Sequence, residues 1–186
     1  QDTLLDVSGS GTRLVVGGNS AGQYGGGVSA QSASSVVVSL GARVDVINNN
    51  AVASAGGGLY LQDPETRLNV SGNGTRLVMQ DNSAGNSGGG VLVDTGSSML
   101  VSLGARVDVI NNTAVALYGG GLYLQETDTR LDVSGTGTRL VVRGNSAGKS
   151  GGGVLAVAAS SMVISLGARM DVINNTAVAL YGGGLH

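Results

Sequence analysis

The sequence predicts an all-β chain wound as a right-handed parallel β-helix, a solenoid of six coils of 30–33 residues in three 63-residue repeats. Three observations carry that expectation. The run Val-Ser-Leu-Gly-Ala-Arg-Val-Asp-Val-Ile-Asn-Asn stands at positions 38–49, recurs letter for letter at 101–112, and returns lightly edited at 164–175. Between these landmarks apolar residues alternate with a period of two, the signature of a strand. Helix start and stop signals are missing throughout.

Each repeat divides into two similar halves. Arg13, Arg43, Arg76, Arg106, Arg139 and Arg169 open equivalent strands at spacings of 30, 33, 30, 33 and 30. Six residues after each Arg stands an Asn: Asn19, Asn49, Asn82, Asn112, Asn145 and Asn175. Two residues further on comes Ala21, Ala51, Ala84, Ala114, Ala147 or Ala177. A glycine triplet then begins at Gly25, Gly56, Gly88, Gly119, Gly151 and Gly182. Around these marks three strands per coil are expected: one before the Arg, one starting at it, and one after the glycines. A lone coil has nothing above or below it to cover its inward face. Stacked coils pair strand on strand at about 4.8 Å and enclose a continuous aliphatic column, giving six coils a height of about 29 Å.

Composition agrees with a thin, uniform interior. Phe and Trp are absent and aromatics are 3%, so Val, Leu, Ile, Met and Ala must fill the core. Glycine is abundant, 34 of 186 residues, but one Pro and no Gly-X-Y period exclude collagen. A hydrophobic content of 41% is too high for a disordered linker. The net charge of −2 leaves no basic footprint for nucleic acid. No apolar run is long enough for a membrane-spanning helix, so no membrane insertion by this segment is expected. Without Cys there are no disulfides or thiolate metal sites.

The repeated turn residues have physical roles to fill. The six Asn are expected to take a left-handed backbone and to bond their amides from coil to coil as a structural ladder. The Ala that follows suits a tight corner. The glycine triplets permit positive φ and close backbone approach at a second corner.

These elements resemble the repeats of chlamydial-type polymorphic outer-membrane proteins, which pair a Phe-x-x-Asn element with a Gly-Gly-Ala-(Ile/Leu/Val) element. Here the Asn of the first element matches the six ladder positions, while Val16, Val46, Met79, Val109, Val142 and Val172 stand at the Phe position. Gly replaces Ala in the second element, as in Gly119-Gly120-Gly121-Leu122. The resemblance covers the whole chain and implies a passenger β-helix of a surface adhesin.

Candidate chemistry is sparse. Asp45, Asp108 and Asp171 fall two residues after an Arg and are expected on a solvated outer face. They are chemically equivalent and about 10 Å apart, two coil steps, which does not suit a catalytic carboxylate pair. The single His186 and the absence of Cys leave no triad, so no catalytic residues are expected. The glycine triplets lack the Gly-Gly-x-Gly-x-Asp pattern of calcium-binding coils, so neither metal nor cofactor is expected. The Arg column reads as a charged exterior or as a strip for acidic glycans. Tyr60 and Tyr123, with His186 in the same column, are expected to point outward, where they would suit sugar rings or another fibre. N-glycosylation sequons stand at Asn69, Asn73, Asn111 and Asn174.

Residues 1–186 are thus expected to form one β-helix segment, with repeats at about 1–60, 61–123 and 124–186. Neither end carries the divergent polar cap of a terminal solenoid coil, which predicts an excerpt of a longer array. The expected function is a structural or adhesive stalk or fibre, extracellular or at a cell surface, whose first partner is itself, end to end. The alternatives are a glycan-binding module and a carbohydrate-active β-helix enzyme. The enzyme would need one coil unlike the others.

Overall fold

In the computed structural model, which describes residues 3–186, the chain is an all-strand β-solenoid without a helix among the described residues. Gln1 and Asp2, which open the expected first repeat, lie outside the described residues. About six turns stack along one axis, and every strand pairing between them is parallel. A 63-residue repeat therefore corresponds to two turns.

Four sheets run along the stack, where the sequence suggested three. The first contains Leu4–Ser8, Ser35–Ser39, Arg67–Ser71, Ser98–Ser102, Arg130–Ser134 and Ser161–Ser165. The second contains Arg13–Gly17, Arg43–Ile47, Arg76–Gln80, Arg106–Ile110, Arg139–Arg143 and Arg169–Ile173. The third, unforeseen one is built of two-residue strands such as Asn50–Ala51 and Thr113–Ala114. Two residues are too few to show an alternation, so periodicity reads them as a corner. The fourth, after the glycines, contains Val28–Ala30, Leu59–Leu61, Val91–Asp94, Leu122–Gln125 and Val154–Ala156.

Why the repeat is two turns and not one is visible between the first and second sheets. Odd coils cross that corner with four residues, as in Gly72-Asn73-Gly74-Thr75; even coils use three, as in Leu103-Gly104-Ala105. The two corners interlock. Thr75 is buried in its wide corner, and its Oγ accepts the Gly41 N–H of the narrow corner below at 2.9 Å. Thr138 and Gly104 repeat the bond at 2.9 Å. In the narrow corners Ala42 and Ala105 are fully buried.

Inside, alternate residues of three sheets form one continuous column. Leu68 and Val70, Leu77 and Met79, and Leu59 and Leu61 show the pattern in the first, second and fourth sheets. Each fully buried Leu or Val contributes about 1.5–3 kcal/mol by leaving water. No aromatic ring belongs to this column.

Candidate functional site: ladder, carboxylate clamps and the tyrosine face

The six ladder asparagines come together in one file at the second corner. The Asn49 backbone N–H and side-chain amide both donate to Asn82 Oδ1, at 2.9 and 3.0 Å. Asn82 does the same to Asn112, and Asn112 to Asn145, at 2.8–3.0 Å. The second amide hydrogen of Asn112 goes to the Met79 carbonyl at 3.0 Å. Each central side chain is buried and fully used. The left-handed conformation, however, falls on the residue before each ladder Asn. Gly18, Asn48, Asp81, Asn111, Gly144 and Asn174 have φ between 53° and 69°. That residue turns the chain so that the next amide aims along the stack.

The glycine corners also line up. Gly119 has φ +62°, and the two glycines after it are packed against the neighbouring coil. A Cβ on Gly120 would lie 2.5 Å from the Gly152 carbonyl oxygen, and one on Gly121 would lie 2.6 Å from that of Gly153.

Two of the three carboxylates are not solvated, contrary to the sequence expectation, while Asp171 on the last coil keeps some access to water. The side chains of Asp45 and Asp108 are completely inaccessible, although they stand on the outer face of the second sheet. Each is gripped by two guanidinium groups. Asp45 pairs with Arg13 of the coil below and with Arg43 of its own coil, both at 2.8 Å. Asp108 pairs with Arg76 at 2.6 Å and Arg106 at 2.8 Å, and Asp171 with Arg139 and Arg169 at 2.6 and 2.7 Å. The Asp171 carboxyl is held below the usual carboxylate range by hydrogen bonds, first from Arg169 and then from Arg139. The six-Arg column is therefore a row of clamps. Three carboxylates are shared among its six guanidiniums, which stay partly exposed.

Tyr60 and Tyr123 do leave the main column, yet they too are buried, at 2% and 7% exposure. The loops before the glycine triplets fold over the outer face of the fourth sheet and cover them, forming a second small cluster with Ala55, Leu92 and Leu155. Tyr24 stacks on Tyr60 with ring centroids 4.7 Å apart, Tyr118 leans on Tyr123 at 6.0 Å, and Tyr181 stacks on His186 at 5.4 Å. Burial pushes the Tyr123 hydroxyl up to about 12, with Tyr118 the next contributor. Tyr60 is raised further, first by burial and then by the neighbouring Asp94 carboxylate.

Sequence reasoning passed over the groove beside these rings, of about 280 Å³, whose lining includes Tyr24, Tyr60, Gln62, Asp94 and Gln125. The one available signal was a charge in an otherwise amide column: Asp94 is in register with Gln125, and Gln62 follows Leu61, the partner of Val93. The sequons separate by exposure. Asn73, Asn111 and Asn174 are exposed on turns, whereas Asn69 is half-buried in the middle of a paired strand with its Oδ1 enclosed. No helix among the described residues is long and apolar enough to cross a membrane.

No family model matches the chain, and no curated protein matches it. Among solved structures, a TibC-catalysed, hyper-glycosylated fragment of TibA aligns over 98% of both chains at 14% identity. The TM-score of that alignment is 0.16, too low to support any inference about this chain.

Proposed function

We propose that this chain is a structural or adhesive stalk segment, extracellular or at a cell surface, which stacks on itself lengthwise. The observation that carries this reading is the regular repetition of the coils. Every coil offers its neighbour the same ladder amide, glycine corner and aliphatic layer, and the Arg–Asp clamps repeat every two coils. Stability in such an array is approximately a sum of nearest-neighbour interfaces, so length is gained without new design. Stacked strands resist bending and proteolysis, while outer columns repeat any weak contact and convert it into avidity. The work of the molecule is mechanical in this reading.

Negative-stain imaging of native material tests it. Filaments several times longer than the height of six coils, about 29 Å, are expected. Particles confined to that length would overturn the stalk. Sedimentation of the 186-residue chain tests the stacking separately. Self-association that grows with concentration is expected, and a strict monomer at high concentration would contradict it.

A further inference from the structure

We propose that the outer face of the second sheet docks side by side on the acidic corner of a second copy of this chain. On that face the first, third and fifth residues of each strand point outward. The clamps occupy the first two of these rows. Two guanidiniums share each carboxylate, which leaves one net positive charge every two coils, about 10 Å apart. In the fifth row Arg143 adds another, and Asp81, bonded to Gln80 at 2.8 Å, is the acid at the far edge. Aliphatic rows flank the clamps on both sides. Leu40, Leu103 and Leu166 in the narrow corners are 71–79% exposed, and Ile47, Ile110 and Ile173 at the strand ends are partly exposed. The three leucines also hold a left-handed backbone, φ 54–56°, where Gly or Asn would serve at lower cost. Partly exposed Arg between aliphatic rows, with no Lys or Glu, has the make-up of an interface core.

The complement is carried on the same chain. Where the fourth sheet turns into the first, Asp63 and Glu65 stand in one coil, and Glu126 and Asp128 stand two coils further on. All four have left-handed backbones, φ 62–79°. Glu65, Glu126 and Asp128 are exposed, and among the described residues none of the four is joined to a cation by an ion pair. Arg67 and Arg130 open the strands that follow, and Arg130 is already paired with Asp132. The same corner carries Ser32-Ala33, Thr95-Gly96 and Ala158-Ala159 in the alternate coils. These acids therefore recur every two coils, as the clamps do.

A partner for the arginine face must supply anions at the pitch of the clamps. A second copy does so by construction, because both sets of charges are counted in coil steps of one solenoid. The first sheet lies between the two surfaces, so one chain cannot bring its own face and corner together. The contact is heterologous, face to corner, and repeats sideways without closing on itself. A single exposed ion pair adds little, but rows in register act together. Lateral docking goes beyond the lengthwise stacking proposed above, and salt separates the two. A contact between exposed charges is screened, whereas the burial of one coil on the next is not.

Sedimentation equilibrium of the intact chain at about 20 mM and about 500 mM salt tests the docking. The expected result is self-association whose Kd rises roughly tenfold or more at the higher salt. Asp63→Asn, Glu65→Gln, Glu126→Gln and Asp128→Asn together should abolish the salt-sensitive part. That variant reverses the sign of the net charge without raising its magnitude, so general repulsion does not account for the loss. Leu40→Glu with Leu103→Glu, which sets acids on the arginine face, should abolish it as well. Val52→Glu with Val115→Glu makes the same change of charge at exposed positions after the third sheet, and should leave most of the association in place. Circular dichroism checks that each variant is folded. Association that is absent from the parent, or indifferent to salt, overturns the docking. Unchanged association of the corner variant overturns it too, and would assign the arginine face to a different, anionic partner.

Discussion

Arg76 reaches across one coil to Asp108, 2.6 Å away, while Arg106 holds the same carboxylate from its own coil at 2.8 Å. The carboxylate is wholly inaccessible, but the two guanidiniums are 39% and 44% exposed. Two charge-assisted bonds therefore join adjacent coils through one buried anion, with Val78 and Val141 beside it in register. Removal of the anion leaves cations that water can still reach, so the loss should be smaller than for a fully buried pair. Asp108→Ala is expected to cost about 2 kcal/mol. Asp132→Ala, which breaks the exposed pair with Arg130, is expected to cost less than about 1 kcal/mol. Urea unfolding with an unchanged m-value measures both; equal costs would show that the clamp has no special standing.

Asn112 illustrates a different kind of coupling. Its Oδ1 accepts two N–H groups from Asn82, and its amide serves both Asn145 and the Met79 carbonyl. Truncation to Ala strands the Asn82 donors and takes a donor from the Met79 carbonyl of the same coil, while Asn145 Oδ1 keeps the Asn112 backbone N–H, all without access to water. The expected cost of Asn112→Ala is about 3 kcal/mol, one or two orphaned groups at the usual penalty. Asn112→Asp should cost at least as much, because a carboxylate facing the Met79 carbonyl has no proton to offer. Unfolding midpoints of the two variants against the parent decide it. A near-neutral Asn112→Ala would reduce the ladder to a decoration.

The array was legible in the sequence because its physics is repetitive. The aliphatic column follows from alternation, and the glycine corner from six triplets that line up from coil to coil. What stayed hidden depends on groups that sequence does not place side by side. Strand alternation correctly sends Asp45 outward, but two guanidiniums from different coils then bury it. The same alternation sends Tyr60 outward, and a loop from another part of the turn covers it. In the corner, a pattern centred on the invariant-looking Asn drew the left-handed conformation to the wrong residue. The true bearer changes identity, Gly18, Asn48 and Asp81 in successive coils, so no single letter marks it.

Glycine corners separate conformational cost from steric cost. A Cβ on Gly89 would stand 2.5 Å from the Gly120 carbonyl oxygen, an atom fixed by the adjacent coil. Gly89→Ala must push two coils apart and is expected to cost more than about 4 kcal/mol or to prevent folding. Gly74, at φ +78° in a wide corner, meets nothing nearer than the Gly41 Cα at 3.8 Å. Gly74→Ala carries only the left-handed penalty, about 1 kcal/mol. Circular dichroism and urea melts of the two variants test the contrast. Similar losses at both positions would mean that conformation alone governs the corner.

Two aspartates should give opposite pH dependences. Asp171 is held below the ordinary carboxylate value of 3.8 by its arginines. Its contribution to stability is complete above 3.8 and disappears as pH falls through the lower folded value. Asp94 is raised above 3.8, first by burial, with Thr95 hydrogen bonds opposing the shift. Its ionised form therefore burdens the folded state above the folded value, and the burden is gone below 3.8. At neutral pH, Asp171→Asn should destabilise the chain and Asp94→Asn should stabilise it. Both differences should shrink toward zero as urea titrations move below pH 3.8. Stabilisation by Asp94→Asn that persisted in acid would place the strain at Asp94 in its packing and not in its charge.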